Sequence, residues 1–167
     1  MQRYDLTTLT VRLGGIPAVV AGIDAHVKAE AARGTLLGCW TSEVGTLNRL
    51  VILRGFADDA AVLAEHRRLL ADPNPFGAGE AIAEIVCEAY APFPWCLPPV
   101  PGAHGRVWEM RGYRLKHGGL EPTIAAWEKA MPARGAVSPL ALVMYALDGA
   151  PRFTHFWPYA SFDDRFD

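Results

Sequence analysis

The chain has 167 residues, of which 51% are hydrophobic, and its formal net charge at pH 7 is −2. This length suits one domain or two small domains that depend on each other. The weakly acidic charge and the absence of a Lys/Arg run longer than Arg67-Arg68 argue against nucleic-acid binding, which needs a basic patch. Its apolar stretches are shorter than the about 20 residues of a membrane-spanning helix, so no membrane partner is expected.

Two features of the sequence bear on the cellular compartment of the protein. The first residues lead directly into a strand pattern, which predicts that no signal peptide is present. Three cysteines, Cys39, Cys87 and Cys96, are odd in number and form no close pairing motif. A reduced, cytoplasmic protein is therefore predicted.

Hydrophobic patterning in residues 1–90 predicts a β-α-β-β-α-β unit. In order, it predicts a strand over 4–13, a helix over 17–34, a hairpin over 36–56, a helix that Asp58 or Asp59 caps, and a strand over 84–90. Gly14-Gly15 separates the first strand from the first helix, and Pro17 suits that helix's first turn. Gly45 supplies a positive φ for the hairpin turn.

Residues 91–105 are predicted to be a linker, because five prolines at 92, 94, 98, 99 and 101 disfavour a helix or a central strand. Phe93, Trp95 and Leu97 predict that this linker packs onto a surface. A second copy over 106–167 then gives a strand to residue 115, a helix around 123–131 and a hairpin over 140–159. A further helix is expected after Ser161, where the sequence soon ends. We therefore expect the second repeat to lack its last helix and strand. Truncation of the chain is the favoured explanation, and completion of the sheet by a partner is the alternative.

The two copies share an internal repeat that decides the fold class. Leu13-Gly14-Gly15-Ile16 in the first copy aligns with His117-Gly118-Gly119-Leu120 in the second without a gap. The prediction is an α+β fold of two ferredoxin-like (βαββαβ) repeats, with the first repeat at 1–90, the linker at 91–105 and the second repeat at 106–167.

Several short motifs carry a family resemblance. The pattern W-T-x-E-x-G-x-L-N-x-L-V at 40–51, the opening Tyr4-Asp5-Leu6, and the strands at 108–113 and 154–159 resemble the NIPSNAP family. The resemblance implies the dimeric α+β barrel fold, in which two ferredoxin-like units pack sheet to sheet. It implies no common reaction, although relatives of this fold include cofactor-independent monooxygenases and haem-degrading enzymes. One departure is Ile52, which stands where the family usually has the histidine kept in the second copy as His155.

The sharpest candidate site is in the second copy. Glu109, Arg111 and Tyr113 share one face of a strand, and the fold places His155 on the neighbouring strand. As a catalytic set, His155 would be a general base oriented by Glu109, and Arg111 or Tyr113 would stabilise an oxyanion. The alternative is a structural Glu–Arg pair that closes an interface between sheets, with His155 hydrogen-bonded inside it.

A second set of residues is a candidate ligand-binding site. Glu43 and Asn48 flank the first hairpin turn and would line the mouth of a cavity under Trp40, while Trp157 would add an aromatic wall for a planar ligand. The alternative roles are hydrogen bonds to the turn's own backbone and plain core packing.

These observations leave three functions open. The first is binding of a small, partly apolar ligand between sheet and helices, and the second is a cofactor-independent monooxygenase-like enzyme. The third is an interaction module whose open sheet edge recruits a partner strand. The histidines are scattered without metal-ligand spacing, so no metal and no cofactor are predicted. A homodimer is left open, because the barrel can close within one chain or between two.

Overall fold

In the computed structural model, which describes residues 1–166, the chain divides into two compact units. The first is Met1–Ala89 and the second begins at Tyr90. The first contains, in order, β1 (Arg3–Val11), α1 (Ile16–Lys28), β2 (Thr35–Thr41), β3 (Arg49–Phe56), α2 (Asp59–Ala71) and most of β4 (Ile82–Pro92). Two short 3-10 turns, Pro75–Gly77 and Gly79–Ala81, lead into β4. The β-α-β-β-α-β order predicted for this part of the chain is confirmed.

The first unit has the strand order β2-β3-β1-β4. Strands β1 and β3 are antiparallel, with Leu6 opposite Leu53. Alternation along these strands sends Leu9 and Ile52 into a core that Val19 of α1 completes, and all three are at most 1% exposed. This burial of branched side chains fixes the strand register, since a slip by one residue would turn them to solvent.

Turn and cap chemistry in the first unit follows the sequence. Gly14 and Gly45 have φ of 80° and 92°, which confirms the positive φ expected at the hairpin turn. Asn48 also lies in the left-handed region, with φ of 55°. Of the two candidate caps for α2, Asp58 holds the position, because its side chain accepts a hydrogen bond from the Ala61 backbone N–H at 2.8 Å.

The second unit contains, after the end of β4, the elements β5 (Val107–Arg114), α3 (Leu120–Gly135), β6 (Leu142–Ala146), β7 (Arg152–Tyr159) and α4 (Phe162–Phe166). Its strand order is β4-β6-β7-β5, with antiparallel pairing throughout. The order strand, helix, strand, strand, helix repeats that of the first unit. The α+β fold of ferredoxin-like repeats is therefore confirmed. Within residues 1–166, no helix is both long and apolar enough to cross a membrane.

The proline-rich segment differs in detail from the expected linker. Strand β4 runs on to Pro92, which lies opposite Met144 of β6, whereas the prolines had predicted that the strand ends at residue 90. Pro92 is tolerated because it is the last residue of the strand, so its missing N–H removes at most one ladder bond. Phe93 then enters the core with 0% exposure. Trp95 packs on the same core, but Leu97 is 82% exposed, contrary to expectation.

Helix α3 is longer than the 123–131 expected from its apolar spacing. It begins at Leu120, so Pro122 lies in the first turn, where backbone N–H groups have no acceptor within the helix. It continues through Pro132 to Gly135. This extra C-terminal turn carries Arg134, which the expected helix would have left in a loop.

Candidate ligand pocket

The pairing of β5 with β7 assembles one polar and aromatic face. Arg111 lies directly opposite His155, and Glu109 opposite Trp157. Tyr113 follows at the next same-face position of β5, since side chains at period two share a face. The expected meeting of the two strands at His155 is therefore confirmed, and it gives the site a rigid base.

A cavity of about 850 Å³ lies against this face, and all of its lining residues belong to the second unit. Strand residues Arg111, Tyr113, Phe153, His155 and Trp157 form one wall. Helix α3 forms the other wall with residues spaced by three and four, which share one helix face, namely Pro122, Thr123, Ala126, Trp127, Ala130, Met131 and Arg134. The small side chains at 126 and 130 leave the space that the larger aromatic groups surround.

His155 is the polar centre of this wall and is 2% exposed. The Trp157 Nε1–H donates to His155 Nδ1 at 2.6 Å. Because an indole nitrogen can only donate, Nδ1 must be the unprotonated, accepting nitrogen. Burial and, to a smaller extent, the charge of Arg111 outweigh the opposing charge of Glu109 and lower the pKa of His155 to about 4. At neutral pH the ring is therefore uncharged and carries its proton on Nε2.

The Nε2–H of His155 has no hydrogen-bond partner among residues 1–166. A neutral imidazole in this tautomer offers a donor at Nε2 and has no free lone pair. Its chemistry here is to donate a hydrogen bond to a ligand oxygen, whereas a general base would need Nε2 unprotonated.

Aromatic rings fix the position of His155 from two sides. The ring of Trp127 lies 4.7 Å from it and that of Tyr113 lies 5.6 Å away at an interplanar angle of 20°. Trp127 also meets Phe153 edge to face at 5.3 Å. Such contacts between flat side chains with few rotamers give the cavity stiff apolar walls.

Glu109 does not orient His155, since its carboxylate is engaged elsewhere. Arg111 donates to Glu109 Oε1 at 2.9 Å, and Arg165 of α4 donates to the same oxygen through Nε at 3.0 Å and also through Nη2. Burial raises the pKa of Glu109, but these two guanidinium groups outweigh it and hold the pKa below its ordinary value. The orienting role that we expected for Glu109 falls to Trp157 instead. The Glu–Arg pair of the structural alternative is present, and it lies beside an open cavity.

Arg134 places a second guanidinium in the cavity wall. Its Cζ atom lies 5.1 Å from the centre of the Trp157 ring, a cation–π distance. In the described part of the chain it has no carboxylate partner. Sequence reasoning missed Arg134, and the signal that would have found it is its spacing of seven residues from Trp127 along α3.

The other three expected ligand-binding residues lie in the first unit and do not line this cavity. Glu43 is exposed and accepts a hydrogen bond from Thr41 Oγ1 at 3.2 Å. Asn48 occupies the turn with positive φ. The Trp40 ring lies over Gly38, where a Cβ would come within 2.1 Å of it. Only Trp157 of this set reaches the cavity.

The first unit holds a buried ion-pair network that the sequence argument did not anticipate. Arg54 bridges two carboxylates, with Nη2 donating to Asp5 Oδ2 at 3.0 Å and Nη1 donating to Glu65 Oε1 at 2.5 Å. All three residues are at most 2% exposed. A visible signal was the charged Arg54 inside the apolar run of β3, directly opposite Asp5.

One corner of this network brings together three metal-ligand types. The carboxylate of Asp5, the His66 ring and the Cys87 thiol have atoms within 4.8 Å of one another. Two features oppose a cation there. Arg54 already places its positive charge on Asp5, and burial, followed by the charge of Asp5, raises the pKa of Cys87 to about 11, which keeps the thiol protonated. We therefore assign these three residues to the ion-pair network and not to a metal site.

Comparisons with known proteins agree with this architecture. The NIPSNAP family model matches residues 4–97 and 108–167. The chain is 25% identical over 170 residues to a "Protein NipSnap homolog" of Dictyostelium discoideum, covering 98% of this chain and 72% of that protein.

Several solved structures match nearly the full length of the chain. An anthrone oxidase-like protein has a TM-score of 0.68 at 8% identity, covering 99% of this chain and 76% of its own. A proposed monooxygenase from Lactobacillus acidophilus NCFM has a TM-score of 0.63 at 13% identity, covering 99% and 80%. At these identities the likeness concerns the fold, and it confirms the expected α+β barrel-type class.

Proposed function

The chain belongs to the NIPSNAP family. We propose that it binds a small, partly apolar ligand in the cavity of its second unit. The observation that carries this proposal is the partner-free Nε2–H of His155 in an aromatic cavity of about 850 Å³. Cavities of roughly 300–1,000 Å³ with apolar walls and a few placed polar groups are typical small-molecule sites.

A neutral fluorescent probe tests whether the cavity binds apolar compounds at all. N-phenyl-1-naphthylamine brightens when it enters an apolar site and carries no charge. We expect it to bind the wild type and to lose this binding in Ala126→Trp, because the indole would fill the space between α3 and the strands. Ala125→Trp is the matched control, since the neighbouring residue is exposed and does not line the cavity.

The result is decisive when both variants fold, which circular dichroism checks. Equal probe binding by wild type, Ala126→Trp and Ala125→Trp would place the probe elsewhere and refute the proposal. Absence of binding to the wild type would also count against it.

A cofactor-independent monooxygenase-like activity is the second candidate function. It is supported by the fold shared with an anthrone oxidase-like protein and a proposed monooxygenase, at identities that show fold alone. In this case His155 would act as an Nε2–H donor to an oxyanion, a neutral-imidazole role already known in enzymes. Its partners would be the Arg111 and Tyr113 of the expected catalytic set.

Oxygen uptake with an anthrone as substrate separates the donor role from the base role. A donor at position 155 is retained in His155→Gln and lost in His155→Phe, so we expect uptake to survive only in the first. Loss of uptake in both variants would favour a base instead. No uptake by the wild type would remove this candidate and leave binding.

We also place the protein in the cytoplasm, since Cys39, Cys87 and Cys96 are all free thiols. A homodimer is the assembly we propose to test first, by light scattering coupled to size-exclusion chromatography. A monomer mass at all concentrations would refute it. Localisation of a fluorescent fusion protein outside the cytoplasm would refute the proposed cytoplasmic location.

A further inference from the structure

We infer that the ligand of this cavity is a planar aromatic acid bound as its anion. This inference rests on the proposed binding function and adds the charge and shape of the ligand. It follows from three properties of the cavity wall, namely its charge, its hydrogen-bond donor and its flat apolar sides.

The charge of the wall is positive. Two of the lining residues carry a guanidinium, and none of those lining residues within 1–166 is Asp or Glu. Arg111 is partly neutralised by Glu109, but Glu109 also serves Arg165 and does not line the cavity. Arg134, which has no ion pair in the part of the chain described, leaves its charge uncompensated. A cationic ligand would find no counter-charge here, whereas an anion would find one.

The polar centre of the wall is a donor. His155 presents Nε2–H because Trp157 fixes the other ring nitrogen as an acceptor. The ligand atom that faces it must therefore be an acceptor. A carboxylate or phenolate oxygen satisfies both this donor and the nearby guanidinium groups.

The shape of the wall favours a flat molecule. Tyr113 stacks with Phe153 at 5.3 Å and 21°, and with His155 at 5.6 Å and 20°, so near-parallel rings line the strand side of the cavity. The opposite side carries Trp127 and the small Ala126 and Ala130 of α3. A planar ring system fits against such a surface with offset stacking.

Two isosteric probes isolate the charge. Naphthalene-2-carboxylate and naphthalene-2-carboxamide have nearly the same shape, and only the first is an anion at pH 7. We expect the carboxylate to bind the wild type at least about tenfold more tightly by titration calorimetry, the scale of one charge-assisted hydrogen bond.

Arg134→Gln is the test variant and Arg114→Gln is its matched control. Arg114 is exposed on β5 and does not line the cavity, yet its replacement removes the same charge. We expect Arg134→Gln to weaken carboxylate binding by about tenfold and to leave carboxamide binding unchanged. Arg114→Gln should leave both affinities at wild-type values.

The outcomes separate the two proposals. Equal affinity of the wild type for both probes overturns the anion inference and leaves the binding function standing. Failure of both probes to bind refutes the binding function as well. An equal loss of carboxylate affinity in Arg134→Gln and Arg114→Gln shows that overall charge sets the preference, which also overturns the inference.

Discussion

The buried ion-pair network of the first unit yields a quantitative prediction for Glu65→Gln. The glutamine keeps the volume of Glu65, which is 0% exposed, and removes its charge. In the wild type, Arg54 and Arg68 donate to a Glu65 carboxylate oxygen at 2.5 Å and 2.6 Å. In the variant, both guanidinium groups face a neutral amide. We expect the variant to fold with a lower free energy of unfolding at pH 7.

The size of the loss follows from the pKa of Glu65. Burial by itself raises this pKa, but hydrogen bonds from Arg68 and the charge of Arg54 outweigh burial and lower it to about 2 from an ordinary value of 4.5. That difference corresponds to about 3 kcal/mol of folding free energy at pH 7.

The sign of the pH dependence is fixed by the same values. Between pH 4.5 and 2 the unfolded chain takes up a proton at Glu65 while the folded chain does not. The stabilisation is therefore complete above pH 4.5 and is lost as the pH falls through about 2. At pH 3.5 the gap between wild type and Glu65→Gln should be about 1.4 kcal/mol smaller than at pH 7.

Urea unfolding followed by circular dichroism at pH 7, 4.5 and 3.5 measures this gap. Because both proteins share every other titrating group, their difference at each pH reports position 65. Glu30→Gln, an exposed carboxylate of the same unit, is the control and should stay within about 0.5 kcal/mol of wild type. Equal stability of Glu65→Gln and wild type at pH 7, or a gap that does not shrink in acid, would refute the reasoning.

Three further predictions concern other parts of the chain. The imidazole of His155, observed by NMR, should titrate near pH 4, and a midpoint near 6.5 in the wild type would contradict the burial argument. Trp157→Phe should raise this midpoint by about one pH unit, because it removes the Nε1–H donor that stabilises the neutral ring. Phe93→Ala should cost about 3–5 kcal/mol in urea unfolding, whereas Leu97→Ala, at an 82% exposed position, should change stability by less than about 0.5 kcal/mol; similar effects of both would refute the packing described. Asp58→Ala should cost about 1 kcal/mol by loss of the helix cap, and no loss would show that the cap is dispensable.

The sequence predicted those parts of the site that depend on strand periodicity. Arg111 and His155 were expected on adjacent strands because period-two spacing and the element order of the fold together set the register, and they are directly paired. The same logic applied to the first unit would have paired Asp5 with Arg54, which also lie opposite each other.

The remaining parts depend on packing that strand patterns do not encode. Glu109 was expected to serve His155, but Arg165 reaches it from a helix 56 residues away. Glu65 likewise comes from a helix face, and its contact with Arg54 depends on how α2 packs on the sheet of its own unit. The Trp157–His155 hydrogen bond was within reach of sequence reasoning, since two residues at period two share a strand face.

The closed charge network of the first unit has a consequence for how the two halves of the chain evolve. Its acidic and basic side chains pair with one another inside the fold, so a substitution there changes the amount of folded protein in the cell. In the second unit, the Arg134 guanidinium and the His155 Nε2–H are placed to bind the proposed ligand. Substitutions of these groups therefore change how much of the protein carries ligand, while the amount of folded protein stays the same. Selection for protein yield therefore acts on the buried charges of the first unit, whereas selection for ligand specificity acts on Arg134 and His155.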